Sequence, residues 1–179
     1  MKKAVIFLTD GFEEMEAIVP ADILHRAGVG ITFTSITGKL EVKGSHDITI
    51  IADNLLSENV KGDMFILPGG PGASEYVNNP VLIDLLRKQN NDNKYIAAIC
   101  AAPLTLGSIG LLNNKAATCF PHLTDKLVAG ERRSDAVVTD GNITTGRAAG
   151  VSAEFGLRLA EILAGADEAN RIKSAMFID

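Results

Sequence analysis

Three uninterrupted apolar runs, Ala4–Leu8, Met64–Leu67 and Tyr95–Ile99, constrain this chain more than any other feature. A strand that is apolar at every position has no face to offer to water, so it belongs inside a parallel sheet covered on both sides. Helical patterning lies between such runs. Met15–Ala27 carries Met15, Ile18, Val19, Ile23 and Leu24 and stops at Gly28, and Val81–Gln89 carries Leu82, Leu85 and Leu86. Ala101–Ile109 reads as a helix ended by Gly110, and Ser152–Leu163 and Glu168–Met176 read as two more. Ile31–Ile36 adds a strand, Ala116–Thr118 and Ile143–Thr145 add short ones, and Gly38–Ile51 alternates around Gly44-Ser45 as a small hairpin. This alternation predicts an α/β fold: a doubly wound parallel sheet sandwiched by helices. Neither repeats nor linkers interrupt it, so residues 1–179 read as a single domain.

Composition narrows the function classes. With a net charge of −5 and no basic stripe, the chain is not expected to bind nucleic acid or an anionic membrane surface. The two lysines and short apolar run at the start pass directly into the turn Thr9-Asp10-Gly11, which suits a first strand and not a signal peptide. Apolar stretches all fall short of a membrane span, and two cysteines without a secretion signal suggest free thiols in a reducing, cytoplasmic setting.

In an open parallel sheet the ligand site lies beyond the carboxyl ends of the strands. Four loops meet there if the strands are parallel: Asp10–Glu16, Pro68–Gly72, Cys100-Ala101 and Gly146-Arg147-Ala148. They collect carboxylates, a glycine loop, a thiol and an arginine. Cys100 ends an apolar strand and small residues follow, which makes a strand-to-helix elbow; free N–H groups there favour a thiolate. A buried inert cysteine is the competing reading. Gly69 and Gly70 permit close backbone approach, and their N–H groups with that of Ala101 form a candidate oxyanion hole; a simple tight turn would use the same glycines.

Glu13, Glu14 and Glu16 suit a helix N-terminus as solvated charges. Glu16 differs because Pro20, four residues on, leaves its carbonyl without the usual helical bond, so an irregular first turn is expected to point Glu16 inward. Buried beside a thiolate, its carboxyl would keep its proton and serve as donor or proton carrier. His46, His122 and Arg147 are accessory candidates, although a hairpin-turn His46 and a His122 in the first turn after Pro121 are more often solvent-exposed. Cys119 reads as a small buried residue. Two cysteines and three histidines make no metal-ligand spacing, and nucleotide-binding glycine motifs are missing, so neither metal nor cofactor is expected.

Taken together, Phe12-Glu13-Glu14-Met15-Glu16, Leu67–Gly72, Ala97–Pro103, Thr118-Cys119-Phe120-Pro121 and Gly146–Gly150 resemble the ThiJ/PfpI superfamily, in the branch of the Parkinson-disease-associated thiol protein and its bacterial relatives. The resemblance implies a flavodoxin-like sandwich, usually a homodimer. It implies that Cys100 is the reactive cysteine, that Glu16 contacts it, and that Gly69, Gly70 and Ala101 surround the sulfur. The activities it implies are cofactor-free, glyoxalase or deglycase action on small reactive aldehydes or their protein adducts. Redox sensing or chaperone action through an oxidisable Cys100 is one alternative, and a weak hydrolase or peptidase is another. Ala101 stands where the peptidase branch has a histidine, and Phe120 stands where some glyoxalase members have one, with His122 two residues on.

Overall fold

A computed structural model describes residues 1–178. The central sheet is built from β1 (Lys3–Leu8), β2 (Gly30–Ser35), β5 (Asn54–Leu55), β6 (Met64–Leu67), β7 (Tyr95–Ile99), β10 (Val137–Asp140) and β11 (Ile143–Gly146), in the order β10-β11-β7-β6-β1-β2-β5. All neighbours are parallel except β10, which returns antiparallel along β11. From β1 the chain first moves outward to β2 and β5, then crosses back to β6 on the other side of β1. The strand order therefore reverses between β1 and β6, and a crevice opens at their carboxyl ends.

The period-two alternation of the three apolar runs divides the core into two layers. Ala4, Ile6, Leu8, Met64, Ile66, Ala97 and Ile99 face one side, where α1 (Glu14–Arg26), α4 (Ser152–Ala164) and α5 (Ala166–Ala175) cover them. Val5, Phe7, Phe65, Leu67, Ile96 and Ala98 face the other, under α2 (Pro80–Asn91), α3 (Pro103–Ser108) and the 3₁₀ segment Pro71–Asn78. Tyr76 from that segment is fully buried, and its hydroxyl donates to the Phe7 carbonyl at 3.0 Å. The molecule is thus a single α/β domain with a mostly parallel sheet between helices.

Several local expectations change. The expected hairpin forms as β3 (Glu41–Lys43) and β4 (Thr49–Ile51), but it is a separate two-stranded sheet. The strand at Ala116 pairs outside the main sheet: β8 (Ala116–Ala117) runs parallel to β9 (Glu131–Arg132). The helix after Cys100 is shorter than its pattern, because Ala101 and Ala102 form a turn and Pro103 takes the first helical position. Helix α1 runs through Pro20 without a break, so Glu16 faces inward by position on the helix and not through an irregular turn. The last turn of α1 closes as expected at Gly28, whose φ is +72°.

Gly156 lets α4 lie on α1. A Cβ there would come within 2.9 Å of Ile23 Cδ1 and 3.1 Å of Pro20 Cα. Gly156→Val should therefore force the two helices apart and destabilise the fold by about 1–3 kcal/mol, read as a lower midpoint in urea unfolding. An unchanged midpoint would mean that the α1–α4 contact is loose.

Candidate active site

The loops at the carboxyl edge are stitched together by main-chain hydrogen bonds. Glu13 N–H donates to Gly69 O at 3.0 Å, Gly72 N–H to Gly11 O at 3.0 Å, Cys100 N–H to Gly146 O at 2.9 Å, and Phe120 N–H to Cys100 O at 2.8 Å. These bonds bring the ends of β1, β6, β7 and β11 to one place. Close approach is possible only because the contact points are glycines. A Cβ on Gly69 would lie 2.7 Å from both Cys100 Cβ and Glu16 Oε2, and one on Gly70 would lie 2.5 Å from Gly11 O. Gly70 also has a φ of +94°, which a side chain would resist.

Cys100 is partly exposed and holds a left-handed backbone, φ +63°, at the end of β7. A non-glycine residue there is strained by about 1–3 kcal/mol, and the main-chain bonds to Gly146 and Phe120 hold it in place. The turn directs the sulfur at the N–H groups of Gly70 and Ala101, which both act to favour its anion. Glu16 enters from the first turn of α1. It is fully buried, and its Oε2 accepts from Gly69 N–H at 2.8 Å. Its Oε1 is buried without a hydrogen-bond partner.

Contrary to expectation, the helix end does not by itself lower the Cys100 pKa. Burial and the neighbouring Glu16 charge push the thiol up to about 12, and the Gly70 and Ala101 N–H groups offset this only in part. With six residues behind a two-residue turn, α3 supplies little dipole. Burial likewise pushes the Glu16 carboxyl up to about 7, against the Gly69 bond. Between those values the pair shares one proton, and geometry decides where it sits. On sulfur, the proton leaves the charge on a fully buried carboxylate whose donors are the Gly69 N–H and the thiol. On Oε1, it leaves a partly exposed thiolate facing two N–H donors and gives Oε1 a donor role. The second arrangement moves the charge to the less buried atom, which also has more donors, and this favours the proton on Glu16.

The accessory candidates fall elsewhere. His46 sits in the turn between β3 and β4, and Glu14 holds it: His46 Nδ1 lies 2.8 Å from Glu14 Oε2, and His46 N–H donates to Glu14 Oε1 at 2.7 Å. Ser45 Oγ donates to Glu14 Oε2 at 3.1 Å. Despite opposing burial, the bonds from His46 and Ser45 pull Glu14 down to about 2, and Glu14 in turn raises His46. Glu14 is therefore a buried anchor, not the solvated charge its position suggests. No local pattern announces it, because its partners lie 31 and 32 residues away. Glu13, Glu14 and His46 bring ligand atoms within 4.8 Å of one another, but the Glu14 oxygens already accept from the hairpin and Glu13 Oε2 accepts from Glu16 N–H. Arg147 turns its guanidinium to Ser134 O at 3.0 Å, tying down the segment before β10. His122 is exposed on the 3₁₀ segment Pro121–Lys126, with its ring 5.5 Å from that of Phe120. Cys119 is buried, with its thiol raised by that burial and directed at Phe120 O, 3.5 Å away.

The location of the shared proton is measurable. Wild-type thiolate absorbance should develop around the lower step, near pH 7. Glu16→Leu, which removes the donor, should move it upward by a unit or more. A thiolate that appears only well above the free-thiol range of about 8.5, and earlier in Glu16→Leu, would place the proton on sulfur.

Known proteins share this arrangement of chain. The DJ-1/PfpI family model matches residues 2–162. Protein dj-1beta of Drosophila melanogaster is 38% identical over 182 residues, covering 99% of this chain and 97% of the relative. A Caenorhabditis elegans protein named glutathione-independent glyoxalase DJR-1.2 is 32% identical, covering 96% and 94% respectively. The crystal structure of Drosophila melanogaster DJ-1beta superposes with a TM-score of 0.95 at 37% identity over 99% of this chain and 98% of that one. An oxidised Toxoplasma gondii DJ-1 gives 0.95 at 31% identity, again over 99% and 98%. Matched along its whole length in sequence and in fold, the chain belongs to the DJ-1/PfpI family.

Proposed function

We propose that this protein is a cofactor-free thiol enzyme that acts on small reactive aldehydes or their adducts, with a glyoxalase-type rearrangement as its central reaction. The observation that carries this reading is the pairing of the Cys100 sulfur with the buried, proton-holding Glu16 carboxyl, beside the Gly70 and Ala101 N–H groups. A relative that bears the name of a glutathione-independent glyoxalase adds support.

With a 2-oxoaldehyde the steps balance without an outside oxidant. The Cys100 thiolate adds to the aldehyde carbon and forms a C–S bond. The carbonyl electron pair moves onto oxygen, held by the Gly70 and Ala101 N–H groups, and takes the Glu16 proton. The Glu16 carboxylate then removes the hydrogen on the former aldehyde carbon as a proton. That pair of electrons passes to the adjacent carbonyl oxygen, which takes the proton of the first hydroxyl as the thioester carbonyl forms, and Glu16 returns its proton to the neighbouring carbon. One carbon is oxidised to a thioester and its neighbour reduced to an alcohol. Water cleaves the thioester, releases a 2-hydroxy acid and restores the thiol. Glu16 suits both roles because burial raises its pKa and it shares a single proton with the adjacent sulfur.

Oxidation of Cys100 by a peroxide is the rival use of the same sulfur, and its product would draw on the same N–H groups. A hydrolase or peptidase has less support, because His122 is exposed with its ring edge-on to Phe120, and Ala101 carries no base.

Cys100→Ser should abolish methylglyoxal turnover in thiol-free buffer, with a loss of at least about a hundredfold. His122→Ala should stay within about threefold of wild type. Turnover retained by Cys100→Ser would end the proposal; a hundredfold loss in His122→Ala would make this histidine the missing base.

A homodimer is part of the same reading. Met15 and Ile18 on α1 are 51% and 42% exposed, and Ile48 and Ile51 of the adjoining hairpin are 57% and 62% exposed. Four large apolar side chains so exposed on neighbouring elements suit a surface covered by a second copy. Sedimentation at micromolar concentration should give twice the chain mass, and Ile18→Glu should shift it toward monomer. A wild-type monomer would contradict the assignment.

A further inference from the structure

A cavity of about 430 Å³ opens beside the sulfur cradle. Gly70 and Ala101, whose N–H groups face the Cys100 sulfur, form one end of it. Val77, Leu104 and Leu123 supply apolar walls from three separate elements, and Lys126 stands in the lining as its one charged group. Two hydroxyls in the wall are turned to their own backbone: Ser74 Oγ donates to Pro71 O at 3.3 Å and Ser108 Oγ to Thr105 O at 2.9 Å. A two- or three-carbon aldehyde bound at the sulfur would leave this space to water against apolar walls. The volume falls in the range of small-ligand sites, far more than a methyl group needs.

We infer that this cavity receives an apolar arm of the substrate, several carbons long or aryl, so that the preferred substrates are free 2-oxoaldehydes larger than methylglyoxal. The substrate class rests on the reaction proposed above; the arm-binding cavity does not. The carbonyl carbon stands at the sulfur, and the arm passes Gly70 and Ala101 into the space between Val77, Leu104 and Leu123. The lining contains no carboxylate and one cation, so a positively charged arm, such as the side chain of an arginine adduct, is disfavoured by both desolvation and Lys126. Apolar discrimination of this kind is worth about tenfold or more for groups of this size.

Two measurements separate the cavity from the reaction. First, Cys100 is alkylated with iodoacetamide and with N-phenyliodoacetamide, each rate divided by that for free glutathione. In both cases the thiolate displaces iodide, so only the arm differs. The phenyl reagent should react at least about tenfold faster than its intrinsic ratio, and Val77→Trp, at a half-exposed wall position, should remove that advantage. Second, kcat/KM for phenylglyoxal should exceed that for methylglyoxal by about tenfold, and Val77→Trp should lower this ratio by the same factor. A phenyl preference in alkylation without turnover of either aldehyde upholds the cavity and overturns the proposed reaction. Turnover of methylglyoxal with equal alkylation ratios and no phenylglyoxal preference upholds the reaction and overturns the cavity assignment.

Discussion

The structure turns on placing a fully buried carboxyl, Glu16, against a sulfur. An ionised carboxylate in such a place is costly, since the Gly69 N–H and the neighbouring thiol cannot replace the water it has lost. Keeping the proton relieves that cost, and the oxygen without an acceptor or donor partner, Oε1, is where the proton finds use. The glycines follow from this. Gly69 has to expose its N–H to Glu16 while its Cα passes within a Cβ's reach of Cys100, and Gly70 has to turn through a φ of +94° to bring its own N–H to the sulfur. The reversal of strand order between β1 and β6 makes the crevice in which these pieces meet.

That choice of proton location also gives the site a sign in its pH response. Burial raises the folded pKa of Glu16 above its ordinary 4.5. Its contribution to stability is thus whole below the unfolded value and is lost as pH rises through the folded one. Glu14 works in the opposite sense. Its folded pKa is lowered to about 2, so its contribution is whole above the unfolded value and is lost as pH falls through 2. Two glutamates separated by one residue on the same helix turn therefore have opposite preferences. One faces donors from the hairpin and stays charged; the other faces a sulfur and a single amide and stays neutral. The first secures the hairpin over the helix entry, and the second supplies the chemistry.

Much of this was legible in the residues. Apolar runs buried on both faces gave the parallel strands β1, β6 and β7, and period-3.6 patterns gave the helices, because burial dictates both patterns directly. Strands β5, β9 and β10 are short or partly exposed and carry no such pattern. The elbow at Cys100 and the glycine loop were visible because backbone geometry leaves a local mark. The titration of the thiol was not, since desolvation depends on what packs around the sulfur from four distant loops. For the same reason Glu14 read as a solvated helix-end charge, with no sign of its bonds to Ser45 and His46: a contact made across more than 30 positions has no sequence period.

The thiol is therefore activated differently from a cysteine at the end of a long helix. There, fixed dipoles lower the pKa whatever the substrate does. Here the anion at sulfur exists only while its neighbour holds the proton, so nucleophile and acid are created by one proton position. Addition to a carbonyl then has the attacking group and the proton for the new alkoxide ready in the same microstate. When that proton leaves Glu16, the carboxylate becomes a strong base because it is buried, at the moment when carbon acidity is needed. Burial, which works against the thiolate in the resting site, thus drives the later step.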